Sequence, residues 1–460
     1  MSSVDLSQFA GKRLVVWGNG REGRAAVDAL KDVATASLDV IDDSSDATAT
    51  IDHKGASAAI VLHGEDAQHA LDHADVLIKS PGVSRFDPRV LALLDRGAVV
   101  TGGSALWMTE HHARTLAVTG SKGKSTTSSL ISHLAASIGI ENTYGGNIGI
   151  PLLDLPAAQQ YVLELSSYQC SELTASPAVA VITALFPEHL NWHGSAEQYY
   201  ADKLNLIAHD PDVVIYTATD ERLAAMVAER VDASKTLPVG TDDSAVGLLD
   251  ARGGQWFAIH HQPLAPRDVL PLLGSHNVAN ACLALAAVRV LAQARGFDLT
   301  DRRGELTEGL RAFQPLPHRL TLVVDERETG IRFVDDSLST APQATVAALA
   351  ALPEGPLVLI VGGQDRGVDY APLRTALAVQ SREVTVIGVP ESGPRILAAL
   401  AGLSLHGVLA TDLTQALEQS RAALPRGGTV LLSPAAPSYG LYKNYEARGR
   451  AFLDAIRATE

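Results

Sequence analysis

Residues 116–127 read LAVTGSKGKSTT: an apolar run, a loop with glycine at 120 and 123, then Lys124-Ser125-Thr126 opening a helical stretch. Leu116, Ala117 and Val118 predict a buried strand. The glycines that follow let backbone N–H groups turn inward around a phosphate chain. Lys124 supplies a compact cation, and the Ser125 hydroxyl is placed to ligate Mg²⁺. A full phosphate-binding loop encloses four residues between its glycines, whereas Gly120 and Gly123 enclose two. On the loop alone, nucleotide binding stands beside an ordinary glycine-rich strand-to-helix turn.

Working outward, short apolar strands alternate with Ala/Leu-rich helical stretches, the pattern of parallel α/β sheets. A first block holds strands at 13–17, 37–41, 58–62, 75–78 and 97–100, with a helix at 22–31. A second block runs from the strand near 115 to about 316. A third holds strands near 320–325, 331–334, 357–361, 384–388 and 429–432. Boundaries fall near Trp107 and in the segment 315–317, dividing the chain into 1–108, 109–316 and 317–460. Gly18, Gly20 and Gly23 complete a GxGxxG between strand and helix, with Asp39 and Asp42 at the end of the next strand. That arrangement fits an NAD site, a non-redox nucleotide or sugar-diphosphate site, or a purely structural turn.

Composition narrows the class. The 460 residues suffice for two to four domains, and 46% hydrophobic with 19% charged residues is ordinary for a globular protein. A net charge of −15 argues against a nucleic-acid surface. An anionic substrate must then be met by local cations, Mg²⁺ or helix N-termini. Cys170 and Cys282 are the only cysteines, too few for a disulfide framework or a zinc site, so a reducing cytoplasm is expected. The start, MSSVDLSQFAGKR, lacks a signal-peptide core. The apolar stretch 280–292 carries Arg289 and is too short to span a bilayer, so it reads as a core helix and no membrane association is expected.

Several other segments place small or polar residues at strand ends, where α/β proteins bind ligands. Gly145-Gly146-Asn147-Ile148-Gly149 offers backbone amides and a side-chain amide. Glu164 ends a strand and is followed by Ser166-Ser167-Tyr168-Gln169; it suits Mg²⁺ or is a surface acid. The loop at 187–193 (PEHLNWH) carries two imidazoles, His189 and His193, whose default role is structural hydrogen bonding. Lys203 lies on an expected helix at 199–207, where a surface lysine is the default. Asn277 and Asn280 share one helix face, and PHR (317–319), DDS (335–337), GGQDR (362–366) and SPAAPS (433–438) mark the third block.

In order, VTGSKGKSTT, GGNIG, LELSSYQ, PEHLNWHG with Lys203 fourteen residues after His189, GSHNVAN, LPHR, DDS and SPAAPSYGLYKNYEARG follow the sequence seen in the Mur ligases. The resemblance covers essentially the whole chain, is closest to the MurD type, and accounts for the compressed loop. It implies three α/β domains: an N-terminal Rossmann-like domain for a UDP-sugar, a central ATPase and a C-terminal Rossmann-like domain. It also implies an ADP-forming ligase of peptidoglycan synthesis. ATP phosphorylates the terminal carboxylate of UDP-N-acetylmuramoyl-L-alanine, and the amine of glutamate attacks the acyl phosphate.

By that match Gly120, Ser121, Lys122, Gly123, Lys124, Ser125 and Thr126 contact ATP, with Asn277 and Asn280 on the adenine side and Arg319 and Asp336 reaching phosphate and ribose. Ser125, Glu164, His189 and Lys203 hold two Mg²⁺ ions, Lys203 as a carbamate; Lys124, His189 and Lys203 are the catalytic set. Gly18, Gly20, Ser80-Pro81-Gly82, Asn147, Ser166 and Gln169 match UDP-substrate contacts, and Thr340, Arg366, Ser438 and Tyr445 match the glutamate pocket. A monomer is expected, free of nucleic acid and membrane.

The chain departs from the family pattern in two places. Glu188-His189-Leu190-Asn191 stands where DHLD is usual, and Ala184 replaces an upstream Asn. Asp336-Ser337-Leu338-Ser339-Thr340, GGQDR and SPAAPSYG stand where D-glutamate ligases carry DSKAT, GGDGK and SPACASFD. Leu338 removes a cation, and Arg366 exchanges a point charge for a planar fork. These changes, with the GNGREGRAA opening, resemble the subfamily that attaches L-glutamate and passes its product to an epimerase. The alternatives are the D-glutamate ligase, a folate polyglutamate ligase, an NAD-dependent oxidoreductase and a non-catalytic ATPase.

Overall fold

The computed structural model describes residues 4–43, 50–51, 59–241, 244–272, 274–314 and 317–459. The first residue of the expected strand at 58–62, and Pro315 and Leu316 at the expected second boundary, lie outside that set. By internal contacts the chain forms two compact units: residues 1–270 with 278–313, and residues 271–277 with 314–460.

The first unit holds two six-stranded sheets. Strands β1 (Arg13–Trp17), β2 (Ser37–Ile41), β3 (Thr50–Ile51), β4 (Ala59–Leu62), β5 (Val76–Lys79) and β6 (Val99–Thr101) order as β3-β4-β2-β1-β5-β6. All pair in parallel except the short β3. Strands β7 (Thr115–Thr119), β8 (Thr143–Gly146), β9 (Tyr161–Glu164), β10 (Val179–Ile182), β11 (Val213–Thr217) and β12 (Thr236–Val239) order as β12-β11-β10-β7-β9-β8, all parallel. Every residue of β7, β9 and β10 is buried. Such continuous apolar runs are what a parallel sheet covered on both faces requires. The order reverses beside β7, so the phosphate loop emerges at a switch point, where ligands bind in open α/β sheets. A small antiparallel sheet, β13 (Val246–Ala251), β14 (Gly254–Ile259) and β15 (Gln262–Pro266), follows.

The second unit is built on β16 (Thr321–Glu326), β17 (Ile331–Asp335), β18 (Leu357–Val361), β19 (Val384–Gly388), β20 (His406–Leu409) and β21 (Gly428–Leu432). Their order is β16-β17-β21-β18-β19-β20, with β16 antiparallel and the rest parallel. The three large sheets give the α/β, three-domain architecture expected from the sequence. The helix at Ser275–Ala294 is long and apolar enough to cross a membrane, yet two thirds (67%) of its apolar window is buried in the fold.

Candidate active site

Between β7 and the helix Lys124–Ser137 the backbone cannot carry side chains at its glycines. Gly120 has φ +147°, and a Cβ there would lie 1.9 Å from Thr183 Oγ1; Gly123 has φ +90°, and its Cβ would lie 2.4 Å from Asn280 Oδ1. Glycine is therefore required by positive φ and by close approach. The loop is pinned from beneath: Ser121 N–H donates to Ala184 O at 2.7 Å, Thr183 Oγ1 donates to Lys122 O at 2.6 Å, and the Ser121 hydroxyl contacts Phe186 O and the Tyr199 hydroxyl. Lys124 Nζ donates to the carbonyls of Gly120 (2.9 Å) and Ser121 (3.2 Å). Ser125 is buried at the second position of the helix and Thr126 is half-buried.

Lys203 reaches the same carbonyl. Its Nζ donates to Gly120 O at 2.8 Å, 83 residues away in sequence, and the residue is 2% exposed. The default of a surface lysine is thereby corrected. The helix carrying it spans Ala196–Leu204 rather than starting at 199, because Ser195 caps it by accepting from Gln198 N–H, and a 3₁₀ turn follows at Asn205–Ile207. Burial pushes the Lys203 amine down from 10.5 to about 7, with Lys124 adding repulsion.

Glu164 ends β9 beside β7. Its Oε1 accepts from Asn147 Nδ2 at 2.8 Å, while its Oε2 is buried without a hydrogen-bond partner. An orphaned carboxylate oxygen needs a cation or donor from outside the fold. Among the described residues no group of three or more His, Cys, Asp or Glu could hold a metal ion. A cation at Glu164 would therefore complete its shell with hydroxyl, phosphate or water oxygens, which suits Mg²⁺.

His189 sits in the left-handed region, φ +53°, ahead of the short helix Leu190–His193, with its ring 5.3 Å from Tyr168. His193 takes the structural role: its Nδ1 lies 2.6 Å from Asp202 Oδ2 and its Nε2 3.0 Å from Ser167 Oγ, all three residues buried. Asp202 precedes Lys203, so this network ties the helix of Lys203 to the segment after Glu164.

The first sheet brings the expected sugar-nucleotide residues together. A Cβ on Gly18 would lie 2.4 Å from Ser80 Oγ, and one on Gly23 would lie 1.7 Å from Gly18 O. The first and third glycines are needed for close packing, whereas nothing lies near Gly20. Asn19 Oδ1 and Ser80 Oγ, at the ends of adjacent strands, are buried without hydrogen bonds. Both are available to a ligand. Gly82 O accepts from Trp192 Nε1 at 3.3 Å, and Pro81 lies between these two contacts. Ser166 and Gln169 form a capping box, and Gln169 Nε2 donates to Glu22 Oε1 at 3.3 Å. Burial raises the Glu22 carboxyl to about 7.

Sequence reasoning passed over a buried pair behind this site. Lys79, 2% exposed at the end of β5, is ion-paired with Glu172 and donates to Val83 O at 2.8 Å. No motif marks either residue; the only cue is a lysine closing an otherwise apolar strand.

Profiles for known families match where the geometry puts the chemistry: the Mur ligase middle domain at residues 118–288, and the Mur ligase, glutamate ligase domain at 318–436. The chain is also 50% identical over 456 residues, 99% of either length, to a protein of Salinispora tropica named UDP-N-acetylmuramoyl-L-alanine–L-glutamate ligase. The chain belongs to the Mur ligase family. A Xanthomonas euvesicatoria protein of the same name is 38% identical to this Mur ligase, covering 97% of the chain and 95% of that protein. Among solved structures, the Thermotoga maritima MurF ligase in complex with ADP superposes with a TM-score of 0.59 at 17% identity, covering 98% of this Mur ligase and 96% of MurF. That likeness is one of fold.

In the second unit of this Mur ligase, Asp336 is buried after β17. Its Oδ2 accepts from Ser339 Oγ (2.5 Å) and Ser433 Oγ (2.7 Å), and burial raises its carboxyl to about 6. Arg319 lowers it in turn through its charge. Ser438 lines a cavity of about 150 Å³ with Gly362, Gly363, Tyr442 and buried Arg448. Thr340, Arg366 and Tyr445 are not in its lining. Thr340 and Arg366 are exposed, Arg366 stands over the Tyr439 ring, and Tyr445 opens the last helix with its ring 6.1 Å from His318. Asn277 and Asn280 are both buried on the helix Ser275–Ala294.

Proposed function

We propose that this Mur ligase joins L-glutamate to UDP-N-acetylmuramoyl-L-alanine with ATP, through an acyl phosphate, in the synthesis of the peptidoglycan precursor. The observation that carries this reading is the likeness along 99% of the chain to a ligase of that name. The buried Glu164 oxygen beside the phosphate loop supports the ATP-dependent step. Labour divides among residues 1–108 for the UDP-substrate, 109–316 for ATP and 317–460 for glutamate.

A carboxylate is a poor electrophile because oxide is a poor leaving group. Transfer of the terminal phosphoryl group of ATP to the alanyl carboxylate supplies phosphate in its place. The neutral amine of glutamate then attacks the acyl carbon, and the tetrahedral adduct expels phosphate to leave the amide. In this reading the loop from Gly120 to Thr126 and Lys124 hold the polyphosphate. Asn277, Asn280, Arg319 and Asp336 hold the rest of ATP. Ser125, Glu164, His189 and Lys203 are the residues that would hold two Mg²⁺ ions, which neutralise charge on the phosphates when bound. A Lys203 amine depressed to about 7 is about half unprotonated at neutral pH, so it can add to CO₂, releasing one proton and becoming an anionic carbamate.

Gly18, Gly20, Ser80-Pro81-Gly82, Asn147, Ser166 and Gln169 receive the UDP-substrate. Thr340, Arg366, Ser438 and Tyr445 receive a dicarboxylic amino acid. The enzyme works as a cytoplasmic monomer, and its product goes to an epimerase. The test is release of ADP and phosphate on mixing with ATP, Mg²⁺, UDP-N-acetylmuramoyl-L-alanine and L-glutamate. Release that needs both acceptor and amino acid supports the reading; NADH binding without any ATP turnover would overturn it.

A further inference from the structure

The phosphate loop carries a second lysine, assigned above to ATP with the rest of the loop, whose side chain already has an acidic partner within the fold. Lys122 lies between the two loop glycines, and its backbone is fixed by the Thr183 hydroxyl and by a bridge to Ala184. Its side-chain Nζ is held 2.7 Å from Glu188 Oε1. The pair is accessible: the Lys122 side chain is 36% and the Glu188 side chain 21% exposed. Such a pair is held weakly, because water competes for both ions.

Glu188 immediately precedes His189. Lys124 is already engaged by the carbonyls of Gly120 and Ser121. We infer that Glu188 is a positioning residue for Lys122, holding its ammonium in place before nucleotide arrives, and that nucleotide binding exchanges the Glu188 carboxylate for a phosphate oxygen. The exchange is favourable because phosphate carries more charge than a carboxylate and offers several acceptor oxygens, while Glu188 is exposed enough to rehydrate. Glu188 then acts as a positioning residue: it offsets the charge of the loop before ATP arrives and competes with ATP for Lys122. This inference rests on the ATP reading above.

Titration calorimetry with ATP and Mg²⁺, in the absence of the other substrates, tests it on four full-length proteins: the unaltered chain, K122M, E188Q and the double variant. K122M is expected to weaken ATP binding about tenfold, the value of one charge-assisted contact. E188Q is expected to tighten it about threefold, since no ion pair then has to be broken. In the K122M background, E188Q should change the affinity much less. K122R, which keeps the charge, should bind within about threefold of the unaltered chain. Binding by K122M equal to that of the unaltered chain overturns the inference. So does weaker binding by E188Q, as does an E188Q effect of equal size in both backgrounds. Failure of the unaltered chain itself to bind ATP refutes the ATP reading, and the inference with it.

Discussion

Replacing Lys203 by Met should make the protein more stable and catalytically dead. The substitution keeps an unbranched apolar stem in a fully enclosed site and removes the amine. In the unfolded chain that amine titrates near 10.5; in the fold, burial lowers it to about 7. Between those two values the unfolded state binds more protons than the folded one, so stability falls as pH drops from 10.5 to 7 and levels off below. At 1.36 kcal/mol per decade the full cost is on the order of 5 kcal/mol, and at pH 7.5 about 4 kcal/mol. Against this stands the hydrogen bond from Nζ to Gly120 O, whose loss costs about 1–2 kcal/mol. Lys124 continues to donate to that carbonyl, so it is not left bare.

Lys203→Met should therefore gain roughly 2–3 kcal/mol at pH 7.5, and the gain should vanish between about pH 9 and 10 and become a loss of roughly 1–2 kcal/mol by about pH 10.5, where only the missing hydrogen bond counts. Urea unfolding of both proteins in CO₂-free buffer across that range measures it. Turnover should fall on the order of a thousandfold or more, as for loss of a metal-binding anion. A variant that is less stable at pH 7.5, by an amount independent of pH, would refute the reasoning.

Other expectations follow from the same contacts. Lys203→Ala should regain part of its turnover when short carboxylic acids are supplied; no regain at any concentration contradicts the carbamate. Gly123→Ala forces φ +90° on a residue with a Cβ 2.4 Å from Asn280 Oδ1. Strain of about 1–2 kcal/mol should weaken ATP binding about five- to thirtyfold by calorimetry, and unchanged affinity would count against the loop assignment. Glu164→Gln should raise the Mg²⁺ concentration for half-maximal activity about tenfold without lowering the melting temperature, since Oε2 has no partner to lose. Lys79→Met alone should cost about 3 kcal/mol by leaving Glu172 buried and unpaired, and Lys79→Met with Glu172→Gln should recover most of it. Denaturant midpoints of the two proteins decide whether the pair or the stem matters.

Much of this was legible in the sequence because parallel sheets write plainly. Leu357–Val361 and Thr115–Thr119 are runs with every residue buried, closed by Gly362 and Gly120, and both stood out from their neighbours. Glu164 was legible because a carboxylate closing such a run is unusual. The antiparallel strands β13 to β15 were not, since Val246–Ala251 has one buried residue in six and reads as a polar connection. Lys203 was readable only through family resemblance; helical spacing alone put it on the surface. The pairing of Lys79 with Glu172, and the chain from Ser167 through His193 to Asp202, join residues remote in sequence. No local pattern records which buried charges meet.

The central claim is that this Mur ligase adds the L-enantiomer of glutamate. The segments that depart from the D-glutamate pattern include Leu338 and Arg366, a lost cation and a guanidinium fork. The direct measurement is the rate of amide formation from UDP-N-acetylmuramoyl-L-alanine, ATP and Mg²⁺ with each pure enantiomer of glutamate. The account predicts that L-glutamate is used much faster; faster use of D-glutamate would contradict it.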